Sequence, residues 1–420
     1  MNRIELPDPL DLFPPTRDAA LARLADFALR AGRDYARARN ADPGPGPKSN
    51  VSMLSPYIRH RLVTEREAVA AVLERHTPGQ AEKFIQEVLW RTYWKGWLQM
   101  RPQVWRDFLA ERDGDRAMAA DNAGLQKALA EAEQGRTGID CFDDWARELV
   151  ATGYLHNHAR MWFASIWIFT LKLPWALGAD LFLRHLLDGD PASNTLSWRW
   201  VAGIQTRGKT YLARPGNIAK FTDGRYSADE LARQLATEAP PIRDEAPPRR
   251  ADVQPADAIP IDEPALLLLH GDDLSGFEAL PDGYRIAAVR VAPAVQGDTA
   301  WPFGDKARAF VAQAAADAAD RAGRVLEREA EVVESMDAER LIETARTAGV
   351  ELVLAPEAPV GPVADALAAI EPALNGAGLK LRRVRRDWDD AAWPHATRGF
   401  FPFKNKIPEL LTRAGLLPAA

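Results

Sequence analysis

Four short stretches in the first half of the chain bring together residue types that do chemistry. Phe84 to Trp94 reads FIQEVLWRTYW, and Glu87, Trp90, Arg91 and Trp94 fall at i, i+3, i+4 and i+7, one face of one helix. A face with an acid, a base and two indoles in place of leucines suits a cleft wall that stacks a planar ligand and hydrogen-bonds its edge. An intrahelical Glu–Arg pair beside core tryptophans is the plainer alternative. In Gly153 to Met161, Asn157, Arg160 and Met161 share a second face with Ala164. His156 and His158 flank Asn157, but no third and fourth ligand stands at a metal-site spacing, so no metal is expected. Leu186 to Asn194 (LLDGDPASN) sets two aspartates around a glycine. The other positions of a calcium loop are apolar or absent, and a polar turn with a helix cap is the bland alternative. Trp198-Arg199-Trp200 follows directly. Leu54-Ser55-Pro56-Tyr57 reads as a helix start, with serine suited to the cap and proline to the first helical position. Free N–H groups at such an end suit a phosphate.

The elements that must position these residues follow from composition and periodicity. The 420 residues predict two or three domains, and 47% hydrophobic with 27% charged residues is a globular composition. A single cysteine, Cys141, excludes an intramolecular disulfide, a multi-cysteine zinc site and a four-thiolate iron–sulfur cluster. The net charge of −6 confines any nucleic-acid contact to a local basic patch. Helical periodicity runs almost unbroken through residue 234, as in Leu21-Leu24-Ala25-Ala28-Leu29 and Leu149 to Ala164, and ten of the thirteen tryptophans lie there. Residues 235–262, rich in proline and charge, predict an extended linker. Beyond it, strand-length runs at Ala265 to His270, Ile286 to Ala292 and Val350 to Ala355 alternate with helical patterns around Phe310 to Ala322, Ala338 to Ala348 and Pro362 to Ile370. That alternation predicts a parallel α/β sheet over 263–420. Met161 to Leu177 is the most apolar run. With Lys172 and Pro174 inside it, a buried core helix is expected rather than a membrane span. The N-terminus, Met1 to Pro15, has no signal-peptide core, and the expected location is cytoplasmic.

Taken in order, these motifs resemble the FAD-binding domain of the DNA photolyase and cryptochrome family. The matching text is Tyr35 to Arg39, SMLSPYI (Ser52 to Ile58), EVLWR (Glu87 to Arg91), GRTGID (Gly135 to Asp140), TGYLHNHARM (Thr152 to Met161), LLDGDPASN and WRW (Trp198 to Trp200). The resemblance implies a multidomain α and α/β fold, an all-helical photolyase-type domain at 1–234 followed by a Rossmann-like parallel α/β domain. It implies a folded-back FAD whose phosphate–ribityl part meets Tyr35, Ser52, Leu54 and Ser55, with Arg91 helping to hold it. Arg160 should pair with Asp188 beside the ring, Asp190 should meet the imide edge, and Asn194 should face N5. The implied substrate is ultraviolet-damaged DNA, single- or double-stranded, with a flipped cyclobutane pyrimidine dimer. Glu87 should hydrogen-bond it, Trp90 and Trp200 should pack on its bases, and Asn157 and Met161 should line its other side. Asparagine at 157, where the (6-4) branch carries histidine, favours the cyclobutane dimer. Arg39, Arg199, Arg207, Lys209 and Arg214 are candidates for the phosphate-contacting rim, against an ordinary solvated face.

Trp198 and Trp175 match the first two members of the family's electron-carrying tryptophan chain. The third has no counterpart, since Ala119 to Leu129 contains no tryptophan; Trp162, Trp167 or Trp145 are the substitutes. Two departures concern the subfamily and the DNA-facing surface: the Asp143-Asp144-Trp145-Ala146-Arg147 run, and the segment after Trp200. The order of the halves is also unusual. Family members carry an α/β antenna domain before the flavin domain, whereas LLLLHGDDL (Leu266 to Leu274) and GFFPFK (Gly399 to Lys404) resemble the start and end of such a domain placed after it. A circularly permuted arrangement is therefore expected, with the antenna chromophore, if any, not readable. The leading expectation is a monomeric light-dependent photolyase without membrane partners; a cryptochrome-like photoreceptor without repair is the alternative.

Overall fold

The computed structural model describes residues 6–243, 246–280, 283–293 and 303–418. Residues 1–5 of the N-terminal stretch and 244–245 of the linker lie outside them. Through Gln234 the regular elements among the described residues are all helical. The Pro78–Gln99 helix is the axis of this half. Thr77 caps it with a reciprocal Gln80 contact, and Pro78 stands in its first turn. Arg33–Ala38, Glu65–Leu73 and Pro191–Val201 pack on it, and Pro191–Val201 in turn packs on Gln103–Ala120, Asn157–Ser165 and Trp175–His185. Gly153, at φ 62, ends the Asp140–Thr152 helix in the left-handed conformation that glycine adopts without penalty. The periodicity of Leu149 to Ala164 therefore belongs to two helices.

Met161 to Leu177 is largely buried, with Lys172 exposed, and is not one helix. Asn157–Ser165 passes into a π-helical turn, Ile166–Thr170, and the chain breaks before Trp175–His185. Lys172 at φ 54 and Pro174 account for the break. No helix among the described residues is long and apolar enough to cross a membrane.

After residue 264 the chain forms a parallel five-stranded sheet of order β3-β2-β1-β4-β5: β1 Ala265–His270, β2 Ile286–Ala292, β3 Ala330–Val332, β4 Leu352–Pro356 and β5 Lys380–Val384. Strands β1 and β4 are buried along their whole length, as parallel strands covered on both faces should be. The sequence patterns missed β3 and β5. One is three residues long; the other, KLRRV, is a charged edge strand.

The strand order reverses between β1 and β4, where open α/β sheets usually hold ligands. In this chain the helical half fills that crevice. Arg59 reaches Asp272 at 2.6 Å, His60 Nδ1 meets the Gly271 carbonyl, and Pro191 packs on Gly361. Arg61 sits in the left-handed region (φ 53) and is buried. Its guanidinium contacts Asp389, Asp273 at 3.1 Å and Glu65 at 3.7 Å, while Arg386 holds Asp273 at 2.6 Å.

Residues 235–263 contain no regular element among those described, but they are strapped along the helical half. Ala236 N–H donates to Thr170 Oγ1 at 3.0 Å, Ile242 N–H to the Ala202 carbonyl at 3.2 Å and Ala251 N–H to the Met100 carbonyl at 2.8 Å. The last helices fold back on Pro78–Gln99. Trp388 Nε1 donates to Thr92 Oγ1 at 3.0 Å, and the Tyr93 hydroxyl to the Arg398 carbonyl at 2.7 Å.

Candidate functional site

Helices Pro78–Gln99, Asn157–Ser165 and Pro191–Val201 and the loop 51–55 contribute most of the lining of a cavity of about 1070 Å³. That is at the upper end for small-molecule sites, which run from about 300 to 1,000 Å³. Glu87, Trp90, Arg91 and Trp94 line it from one side, as their spacing predicts, and Asn157, Arg160 and Met161 from another. Tyr35, Ser52, Leu54, Ser55, Asp188, Asp190, Asn194, Trp198 and Trp200 also reach it. The local start at Ser55 differs from the sequence reading: Leu54 occupies the cap, Ser55 is the first helical residue and Pro56 follows it.

The polar floor is a set of buried charges. Arg160 Nη2 donates to Asp188 Oδ2 at 3.0 Å, with Arg160 Nε on the Leu155 carbonyl at 2.9 Å. Burial would raise the Asp188 carboxyl, but Arg160 and Arg91 hold it below the usual carboxylate range. Asp190 does two things. One oxygen accepts from Ser193 N–H at 2.7 Å and caps Pro191–Val201, while the other faces Arg91 at 3.7 Å and Lys95 at 3.9 Å. Against the cost of burial, Lys95, Arg91 and Arg59 bring its carboxyl down to about 2. Asn194 Nδ2 donates to the Ala179 carbonyl at 2.7 Å. Asp188 Oδ1, Ser193 Oγ and Arg91 Nη1 are buried without a hydrogen-bond partner in the protein. Each such group costs roughly 1–3 kcal/mol, so this floor is built for a polar guest.

The wall nearer the opening is aromatic. Glu87 Oε1 accepts from Arg39 at 2.7 Å; burial pushes the Glu87 carboxyl up and Arg39 pulls against that. Trp90 is stacked face to face with Phe400, at 3.7 Å between ring centres and 12° between planes. Trp200 lies 5.5 Å from Tyr211. Asn157 is exposed, with its Nδ2 3.9 Å from Met161 Sδ. Arg207 and Lys209, both exposed, line the cavity; Arg39 is half-buried and reaches it through Glu87, and Arg214 is exposed but outside the lining. Arg199 is the correction. It is 3% exposed, with Nε directed at Gln205 Oε1, so it does not belong to the solvent-facing rim. Ala192, Leu196 and Arg199 share the inward face of their helix.

Trp198 is buried edge-on to Phe182 at 5.1 Å and to Trp167 at 6.3 Å. Trp175, outside the cavity lining, donates its indole N–H to Glu111 Oε1 at 2.7 Å. Trp145 and Trp162 stack on each other at 5.5 Å. The GRTG turn winds around Asp143, whose carboxylate accepts from Thr137 N–H at 2.8 Å and Gly138 N–H at 2.9 Å. Sequence reasoning missed Lys95 and Glu65 beneath Asp190, and Arg398 to Phe401 at the cavity mouth. A lone lysine within the run Trp94 to Leu98 was the signal for the first. Nothing local signals the second.

Residues 84–228 match the family model described as the FAD binding domain of DNA photolyase. Over this stretch the chain is similar to the photolyase/cryptochrome family. A deoxyribodipyrimidine photo-lyase of Thermus thermophilus is 36% identical over 204 residues, covering 48% of this chain and 46% of that protein. The Escherichia coli protein of the same name is 28% identical over 206 residues, covering 48% and 42%. The chain thus spans about half the length of the curated relatives it matches. Among solved structures, a class III photolyase from Agrobacterium tumefaciens is similar at a TM-score of 0.44 and 22% identity, over 74% of this chain and 59% of that one.

The residues on the floor of this cavity fit FAD. The orphaned Ser193, Arg91 and Asp188 atoms offer a hydroxyl, a cationic donor and an anionic acceptor to a ligand that is polar along its whole length.

Proposed function

We propose that the protein is a light-driven photolyase that splits cyclobutane pyrimidine dimers in ultraviolet-damaged DNA. The observation that carries this reading is one cavity in which the charged floor (Arg91, Arg160, Asp188, Asp190, Asn194) lies below a wall of Glu87, Trp90, Asn157, Met161 and Trp200. Reduced FAD bound there would, when excited by blue light, lend an electron to the dimer. The chain's own groups do the rest. Ser52, Leu54, Ser55 and Tyr35 hold the phosphate–ribityl part, and the Arg160–Asp188 pair and Asp190 fix the ring edge. Asn194 is assigned to the N5 side. A flipped dimer stacks on the indoles of Trp90 and Trp200, with Glu87 hydrogen-bonding its edge and Asn157 and Met161 closing the other side. Arg39, Arg207, Lys209 and Arg214 supply phosphate contacts that carry affinity without reading sequence. Electrons pass inward from Trp175 to Trp198, which lines the cavity, when the cofactor needs reducing. The helical domain at 1–234 and the α/β part at 263–420, joined by 235–262, form a permuted family arrangement, supported by the packing of GFFPFK on Trp90.

The test is illumination of the reduced protein with ultraviolet-irradiated thymine oligonucleotides, single- and double-stranded, with dimers counted before and after. Loss of dimers only in the light is expected. Unchanged dimers with FAD bound would overturn the repair reading and leave a photoreceptor.

A further inference from the structure

Trp162, Trp167 and Trp175 differ in what their indole N–H groups meet. Trp167 Nε1 donates to the Pro174 carbonyl at 2.8 Å, and Trp162 Nε1 to the Asn217 amide oxygen at 3.0 Å. Neither acceptor holds a proton. Trp175 Nε1 donates to a carboxylate, Glu111 Oε1, at 2.7 Å. Trp175 is itself 2% exposed, while the Glu111 side chain is 25% exposed and so has a route to water. Arg243, on the strap, fixes the carboxylate with two bonds of 2.7 and 2.8 Å, so the acceptor is held in place before any reaction.

We propose that Glu111 is the proton acceptor for one-electron-oxidised Trp175, making that pair the terminus of the electron relay. The proposal rests on the Trp198–Trp175 route of the preceding section. A neutral indole keeps its N–H beside a carboxylate. An indole that has lost an electron is a far stronger acid, and the geometry for transfer is already within hydrogen-bond reach. In balance, one electron leaves Trp175 for oxidised Trp198. The Trp175 Nε1–H bond breaks heterolytically, and an O–H bond forms at Glu111 Oε1. Trp175 is left as a neutral radical, and charge recombination then requires the proton to return first. The Glu111 proton exits to solvent through its exposed side. A soluble thiolate at the surface restores Trp175 by giving it one electron at a distance and becomes a thiyl radical, while Glu111, reprotonated from water, returns the proton to Trp175 Nε1. This gives the chain a hole trap without a surface tryptophan: charge is separated by moving a proton outward in place of a third electron step. The second indole–carboxylate bond, Trp105 to Asp365 at 3.0 Å, lies between the two halves and is a built-in comparison.

The experiment is time-resolved absorption, with electron paramagnetic resonance, after a blue flash on the FAD-loaded protein. These methods distinguish the tryptophan radical cation from the neutral radical. In the parent, neutral radical forms at a rate independent of the concentration of buffer base. In Glu111→Gln the cation persists, recombination is on the order of tenfold faster and the yield of long-lived radical drops severalfold. Glu111→Asp recovers part of that yield, and Asp365→Asn behaves as the parent. Neutral radical formed at the parental rate in Glu111→Gln would overturn the proposal. So would acceleration by added buffer base in the parent, a measurement that needs no variant. The underlying route fails separately: if Trp175→Phe gives the parental radical signal, the electron never came from Trp175.

Discussion

Asp188 is one residue that serves the fold and, in the function proposed above, also the cofactor. It is buried, its Oδ2 neutralises Arg160 and its Oδ1 has no partner in the protein. Asp188→Asn keeps the shape but leaves Arg160 facing an amide. The expected cost is about 2 kcal/mol of stability with at least a tenfold loss of FAD retention. Flavin absorbance after gel filtration, beside a denaturant titration, checks both. His60 makes a different statement. Its two ring nitrogens face the Gly271 and Leu187 carbonyls, and burial, then the neighbouring Arg59, lowers it from 6.5 to about 4. Between those values the unfolded chain binds a proton that the folded chain refuses. Stability from this site is present above pH 6.5 and is lost as pH falls toward 4, up to about 3 kcal/mol. Glu148, raised by burial to about 7, contributes the opposite slope, so the difference between parent and variant isolates His60. His60→Gln should flatten the fall of the unfolding midpoint between pH 7 and pH 5; an unchanged slope would contradict this origin.

At the scale of elements, helix faces that carry the site were legible because a period of 3.6 fixes them from sequence alone. Glu87, Trp90, Arg91 and Trp94 reach one cavity for that reason. The ion chain from Asp190 through Lys95 to Glu65 was not legible, because each link joins residues distant in sequence; only its last step, Glu65 to Arg61, has a local i,i+4 spacing. The same limit hid Phe400 on Trp90, a contact between residues some three hundred positions apart. Arg199 was misplaced for a local reason: charge suggested solvent, but its helix turns that position inward. Close packing also depends on small residues. A Cβ on Gly178 would lie 2.4 Å from the Trp198 ring and 2.9 Å from Trp167, so only glycine lets Trp175–His185 approach them. Gly178→Ala should cost about 1–3 kcal/mol and displace Trp198. Thermal unfolding reads the first effect, and slowed photoreduction under blue light reads the second.

On the scale of the molecule, the two halves are joined by a buried polar cluster rather than by apolar surface alone. Arg61 stands among Asp273, Asp389 and Glu65, all almost fully buried, and Arg386 shares Asp273. Arg61→Ala leaves those carboxylates without their central cation and should cost about 3–5 kcal/mol. Because the loss falls on the joint, unfolding followed by tryptophan fluorescence and by circular dichroism should split into two transitions where the parent shows one. Coincident curves in the variant would place the cluster's energy elsewhere.

The strap over residues 235–263 has a consequence for assembly. Short flexible tethers keep joined partners at an effective concentration in the millimolar range. A single cut there would remove that advantage yet leave every ion pair of the joint intact. The cut protein should then become a concentration-dependent heterodimer, whose two pieces separate on dilution and take the cavity's Phe400 cover with them.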